Sequence, residues 1–180
     1  NFYGVSNITH PLENIERYKN QYSKQHRLLA TGKGIVTLYD TKKFNRGDNF
    51  NHSLKFTTTF TEDLRMNNST SFLDPHKTSW GRNQYGEASD TRSTDLVTVW
   101  DNVLNYNTNM NGHSLDLMLG SSYTHSMWTQ SYIAGSHYAD GTIQTLNAAN
   151  KIDPGSTGTS ASEWAIMSGF ARVSYNYDSR

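Results

Sequence analysis

The sequence predicts an all-β fold, a stretch of antiparallel transmembrane β-barrel wall. Three observations lead there. Apolar residues recur at every second position over unusually long stretches, the signature of a strand with one dry and one wet face. Two such stretches meet at Asn111-Gly112, a strong hairpin signal because both residues tolerate positive φ. The composition also argues against an ordinary core and against disorder. Hydrophobic residues make up 34% of the 180, below the 45–50% of an ordinary globular domain, an average that also counts Gly. Aromatic residues reach 12%, too many for a disordered chain. A sheet between lipid and water orders such a chain without a thick interior.

The elements follow in order. Leu12 to Tyr22 is a short helix candidate. His26 to Tyr39 reads as a strand loosened by Gly32 and Gly34, and Arg46-Gly47-Asp48 as turn chemistry. Phe50 to Phe60 alternates, with Leu54, Phe56 and Phe60 opposite Lys55, Thr57 and Thr59. A tight turn at Glu62-Asp63 and a return strand Leu64 to Phe72 complete a predicted hairpin. A polar loop is expected from Leu73 to Ser93. The second hairpin runs from Thr94 to Ser126, carrying Leu104, Tyr106, Leu115, Leu117 and Leu119 on its apolar positions. A second long loop, Ala134 to Ser162, includes a short helical candidate over Thr142 to Ala149. Glu163 to Tyr177 is the last strand. The result is about six strands, with short turns alternating with long loops, as in an outer-membrane barrel with short periplasmic turns and long extracellular loops.

Strands cross hydrocarbon only when their amides pair laterally, so side chains alternate between lipid and lumen. A Lys or Arg on the lipid face at mid-membrane costs about 2–4 kcal/mol. Lys55, Arg65, Asp101, Asp116 and Arg172 are therefore expected to face the lumen. Leu104, Tyr106, Leu115, Leu117, Leu119, Val173 and Tyr175 are expected to face lipid, with Tyr106, Tyr123, Tyr175 and Tyr177 as interfacial girdles. The same alternation also fits a soluble extracellular β-sandwich that binds carbohydrate, in which parity separates core from solvent.

Formal charge is zero, from 16 basic and 16 acidic residues, which leaves no electrostatic footprint for nucleic acid. No apolar run approaches the roughly 20 residues of a membrane-spanning helix. The histidines show neither H-x-x-x-H nor H-E-x-x-H spacing and cysteine is absent, so neither metal nor cofactor is expected. No G-x-S-x-G elbow occurs, and Glu62, Asp101 and Glu163 are too scattered to define an acid/base pair. No catalytic residue is assigned and no enzymatic activity is expected.

Three blocks carry a family resemblance. WDNVLNYN from Trp100, GHSLDLMLGSSY from Gly112 and SEWAIMSGFARVSYNYDSR from Ser162 resemble, in order and spacing, the SusC/RagA family of TonB-dependent outer-membrane transporters of Bacteroidetes. Ser168, Arg172, Val173, Tyr175, Tyr177, Asp178 and Arg180 occupy family positions. Asn14 to Tyr18 also resembles the segment preceding an early family strand, whereas residues 32–51 do not align. The resemblance implies that residues 1–180 are part of a large barrel, with the plug domain, the TonB box and the carboxy-terminal strand lying outside this chain. It also implies location in the Gram-negative outer membrane and import of oligosaccharides or peptides energised through TonB. A SusD-like surface lipoprotein would cap the barrel, outer-membrane lipid would surround it, and the barrel would perform no covalent chemistry. Ligand or partner contacts are then expected in the external loops: Trp80, Arg82 and Tyr85 in the first, Tyr132, His137, Tyr138 and Asp140 in the second. The plainer expectation for each of these rings is that it packs one loop against another.

Overall fold

The computed structural model describes residues 11–41 and 50–177. Arg46 to Asp48, Asp178 and Arg180 lie outside the described residues. The chain forms a short helix α1 (Pro11–Tyr18), strands β1 (Gln21–Asp40) and β2 (Phe50–Leu73), and a one-and-a-half-turn helix α2 (Ser79–Gln84). Strands β3 (Glu87–Met110) and β4 (His113–Ser136), a two-residue β5 (Lys151–Ile152) and β6 (Gly158–Tyr177) follow. All six strands belong to one sheet in the order β1-β2-β3-β4-β5, with β6 also paired to β4. A sandwich needs two stacked sheets; the described strands supply one.

The expected hairpin at Glu62-Asp63 is absent. β2 is a single 24-residue strand running through that pair. The reason is visible in the parity: Leu54, Phe56, Phe60, Leu64, Met66 and Phe72 are all even, so the alternation never breaks. Neither Glu nor Asp supplies the positive-φ pair of a two-residue hairpin turn. Instead Glu62 accepts a hydrogen bond from Thr98 Oγ1 at 3.2 Å. The strand count stays at six because β5 is added where the supposed hairpin merges into one strand. The other hairpin is as expected, with Asn111 (φ 46°) and Gly112 (φ 82°) both in the left-handed region. The strands outrun their expected ends: the long connections are residues 74–86 and 137–157, and the helical candidate in the second is a single 3-10 turn at Leu146–Ala148.

By contacts the chain divides into two units. One comprises Asn1–Arg27, Arg65–Asp95 and Trp128–Ser162; the other comprises Leu28–Leu64, Leu96–Met127 and Glu163–Arg180. Among the described residues the second unit is almost wholly strand, with the Asn111-Gly112 turn. Cross-strand hydrogen bonds fix its two faces, because side chains that meet across neighbouring strands share a face. Trp100 Nε1 donates to Thr58 Oγ1 at 2.9 Å and His52 Nδ1 meets Tyr106 Oη at 2.8 Å. His113 Nδ1 meets Tyr175 Oη at 2.7 Å, and His125 Nε2 meets Glu163 Oε1 at 2.7 Å. On the opposite face Ser122 Oγ donates to Asp101 Oδ1 at 2.5 Å. One face therefore carries Leu54, Phe56 and Phe60 with Leu104, Tyr106, Leu115, Leu117, Leu119, Val173 and Tyr175. The other carries Lys55, Asp101, Asp116 and Arg172.

The charged face is not wholly polar. Phe170 lies there with its ring against Gly120: a Cβ built on Gly120 would fall 2.2 Å from Phe170 Cε2. Gly120→Ala is expected to destabilise the β4–β6 pairing by about 1–3 kcal/mol through overpacking. Thermal unfolding of the full-length protein in detergent measures this, and Phe170→Ala in the same chain should recover most of the loss.

Candidate functional site

The first unit gathers both long connections around a small core of its own. Phe72 from β2, Ala88 from β3 and Tyr138 from the second connection are buried together, with Leu146, Ala148 and Ala149 packed against them. The Phe72 and Tyr138 rings meet edge to face, centroids 5.1 Å apart, a geometry that adds about 0.5–1.5 kcal/mol to the burial itself. Tyr138 Oη donates to the Thr145 carbonyl at 3.2 Å, so the one polar atom of this ring is satisfied. Burial pushes the Tyr138 phenol above its ordinary range.

The first connection is built on α2. Thr78, 1% exposed, caps the helix by accepting from the Gly81 amide at 2.9 Å, a contact worth about 0.5–2 kcal/mol. Tyr85 closes it in the left-handed region at φ 55°, a position usually given to Gly or Asn. Helix α1 docks beside α2. Its Pro11 start, Glu13 in the first turn and Arg17 in the last suit a helix dipole. Ser79 Oγ donates to Glu13 Oε2 at 2.7 Å, Arg82 lies 3.8 Å from Glu13, and the Arg17 guanidinium sits 4.9 Å from the centre of the Trp80 ring.

The two connections are joined to each other. The Tyr138 amide donates to the Tyr85 carbonyl at 2.8 Å. The rings of Tyr85 and His137 stack at 5.1 Å and 25°, with His137 itself at φ 65°. Asp74 sits between them, nearly buried. Its Oδ1 accepts from the His76 and Lys77 amides at 2.9 and 3.2 Å, and Lys77 Nζ lies 3.3 Å from Oδ2. Gly141 approaches so closely that a Cβ there would fall 2.0 Å from Asp74 Oδ2.

These contacts sort the expected loop residues. Tyr85 and His137 stack on each other, whereas Trp80 and Arg82 on α2 face α1, against Arg17 and Glu13. Trp80, Arg82 and Tyr85 remain accessible, Tyr85 at 62%, while Asp140 turns its carboxylate onto the Thr142 amide at 2.8 Å. Two positions need correcting. Tyr132 is not in a loop, because β4 continues to Ser136. Tyr138 is not a surface contact: it is 5% exposed and forms the core that joins the connections. Sequence reading placed an external contact at the ring that packs inside. Asp74 was missed, since Asp-Pro at 74–75 reads as loop punctuation and nothing local announces its approach to Gly141. Arg65 lies in this unit too, 3.9 Å from Asp95. Asn67 donates to Ser93 at 3.4 Å and Ser71 meets Ser89 at 2.7 Å, all at odd positions.

A cleft of about 480 Å³ opens beside the core, lined by the α1–β1 junction, the adjoining ends of β2 and β3, and residues Gln144 to Leu146. Its wall mixes amides, a carboxylate and aromatic surface.

The fold has known counterparts. The chain is similar in structure to part of the RagAB peptide transporter, with a TM-score of 0.61 and 15% identity, over 90% of this chain and 17% of that one. It is also similar to the RagAB peptide importer in its closed-closed state, with a TM-score of 0.60 and 14% identity over 89% and 17%. The sheet has the fold of a β-barrel segment, and the chain spans about a sixth of the length of those neighbours. No family model and no curated protein matches the sequence.

The environment of Asp74 makes the joined loops pH-sensitive. Burial alone would raise its pKa, but the His76 amide, the Lys77 ammonium and the Lys77 amide together hold it below the ordinary carboxylate range. A depressed folded-state pKa contributes stability above the unfolded value of about 3.9, and loses it as pH falls through the folded value. The hydrogen-exchange protection factors of residues 137–157 in the full-length protein, corrected for intrinsic rates, should therefore fall at acid pH. In Asp74→Asn the added loss should vanish, leaving lower but flatter protection.

Proposed function

We propose that this chain is a wall segment of a SusC/RagA-like, TonB-dependent transporter of the Gram-negative outer membrane, importing oligosaccharides or peptides and performing no covalent chemistry. One observation carries the membrane assignment. On β4, the aliphatic row Leu115, Leu117 and Leu119 lies between His113, hydrogen-bonded to Tyr175, and Tyr123, stacked on His125. Ten residues separate His113 from Tyr123, about 33 Å along a strand. Tilted by roughly 40°, that is about 25 Å of height, the thickness of the apolar band on outer-membrane barrels. No second layer covers the row among the described residues: Leu119 is 61% exposed and Leu115 and Leu117 are half-buried.

In this reading Leu104, Tyr106, Leu115, Leu117, Leu119, Val173 and Tyr175 meet lipid. Lys55, Asp101, Asp116 and Arg172 meet the lumen, as does Arg65 with Asp95. The joined loops, with Trp80, Arg82, Tyr85 and His137 accessible, form a surface for substrate or for a SusD-like lipoprotein, the counterpart of RagB in the neighbouring RagAB structures. The blocks at Trp100, Gly112 and Ser162 support the family; the fold likeness supports the barrel.

Accessibility of nitroxide labels tests the reading on the full-length protein in isolated outer membranes. Leu117→Cys is expected to favour collisions with dissolved oxygen, and Asp116→Cys with a water-soluble nickel chelate. Equal nickel access at both sites, or access at neither, rules the reading out. Cells lacking the protein should also lose uptake of a labelled oligosaccharide or peptide pool that a protonophore abolishes in the parent strain.

A further inference from the structure

We infer that one face of the first unit's strands binds the phosphate of an anionic glycolipid of the outer leaflet. The inference rests on the membrane reading above and adds a specific lipid site to it.

Strand register builds the site. Thr31 meets Thr61 at 3.2 Å and the Phe72 amide donates to the Asn20 carbonyl at 3.2 Å, which sets Lys24 of β1 opposite Asn68 of β2. The contacts Arg65–Asp95, Asn67–Ser93 and Ser71–Ser89 set Asn68 opposite Arg92 of β3. The Asp101–Ser122 bond and the Tyr138–Tyr85 backbone bond set Arg92 opposite Ser131 of β4. Lys24, Asn68, Arg92 and Ser131 therefore form one row across four strands, with about 4.8 Å from each strand to the next. The row lies on the face away from Arg65, Asn67 and Ser71. All four residues are exposed, the Arg92 side chain at 68%, so a ligand reaches each of them.

The chemistry of the row fits a phosphate. Lys24 and Arg92 supply two cations. Asp90 takes two of the five guanidinium N–H groups of Arg92 and leaves three. Asp90 is also the one carboxylate at this parity on the strands of the unit among the described residues. Arg92 and Ser131, with Thr94, Thr129 and Thr159, line a shallow cleft of about 350 Å³. A guanidinium among hydroxyls offers the donors that phosphate oxygens accept.

What lies beyond the row selects a lipid over a free anion. Four residues along each strand, on the same face, stand Leu28, Leu64, Leu96 and Met127. That is about 13 Å of strand from cation to apolar side chain. An amphiphile with a phosphorylated headgroup and acyl chains meets both rows at once, the pairing by which basic sites at a membrane edge recognise anionic lipid. A soluble phosphate uses only the first row.

Native mass spectrometry of the full-length protein, delipidated in detergent and titrated with bisphosphorylated lipid A, tests the inference. Lipid A stripped of both phosphates keeps the acyl chains; inorganic phosphate keeps only the anion. Lipid A is expected to saturate one site, the phosphate-free lipid to bind at least tenfold more weakly, and a large excess of inorganic phosphate not to displace it. Lys24→Gln and Arg92→Gln should each weaken lipid A binding about tenfold, the worth of a charge-assisted hydrogen bond. Lys33→Gln removes the same charge from the opposite parity of β1, the face of Thr31, and should bind as the parent does. Lys24→Gln should also keep the parent's thermal midpoint, which separates lost binding from lost fold. The inference is overturned if the phosphate-free lipid binds as tightly, if inorganic phosphate competes, or if Lys33→Gln weakens binding as much as Lys24→Gln. None of these outcomes alters the label accessibilities expected at Asp116 and Leu117, so the membrane reading is judged separately.

Discussion

Lateral pairing of long strands in a single layer is the constraint on which everything else depends. A backbone amide in a 24-residue strand such as β2 or β3 finds its partner on the neighbouring strand or loses it. With no second sheet among the described residues, both sides of the layer must then be acceptable to their surroundings through side chains alone. The second unit meets this demand largely by parity, aliphatic rows on one face and Lys55, Asp101, Asp116 and Arg172 on the other, with Phe170 and the paired Glu62 and Glu163 as exceptions. Its side-chain hydrogen bonds run between neighbouring strands at matched positions, as in Thr98–Glu62, Asp101–Ser122 and His113–Tyr175. Each such rung stiffens the register that the parity requires, because a slip of one residue would exchange the two faces entirely.

The first unit solves a different problem. Apart from the two-residue β5 on β4, its two long connections do not satisfy their backbone by lateral pairing, so they build a small interior and spend side-chain chemistry on turns. Thr78, Asp74, Asp140 and Asp153 each accept from a backbone amide two or three residues ahead, the local bonding for which these residue types are favoured at turns and caps. Tyr85 and His137 hold left-handed conformations that cost bulky residues about 1–3 kcal/mol each. They persist because their stacking and the Tyr138–Tyr85 backbone bond lie on the same short path between the connections. The accessible ring of Tyr85 is thus presented by a rigid support and not by a free loop.

Much of this was legible in the residues. Period-two alternation announced the strands, and Asn111-Gly112 announced the hairpin, because both signals are local. The turn at Glu62-Asp63 was misread for an instructive reason. Two adjacent charged residues read as a turn, yet only Glu62 falls in the apolar row, the apolar positions on either side keep the same parity, and parity is the better guide to continuity. Strand starts were placed too late, at Thr94 and Glu163 instead of Glu87 and Gly158, because polar Ser, Thr and Asp read as loop, whereas an antiparallel sheet with one wet face accepts them readily. In the loops, chemistry was legible but position was not. Trp80, Arg82, Tyr85 and His137 were found as a group of aromatic and basic residues. Which ring would be interior, Tyr138, depended on contacts with Phe72 and Ala88 from distant parts of the chain.

The approach of Gly141 to Asp74 has a consequence for how such loops diversify. The space that a side chain at 141 would need is the space the carboxylate occupies, and the carboxylate in turn holds the start of the α2 segment. Neither position can drift alone, so substitutions at 74 and 141 should appear together among related sequences. Recombination that transplants one connection into another barrel would succeed only when the second travels with it, which makes the pair the smallest heritable cassette on this part of the chain.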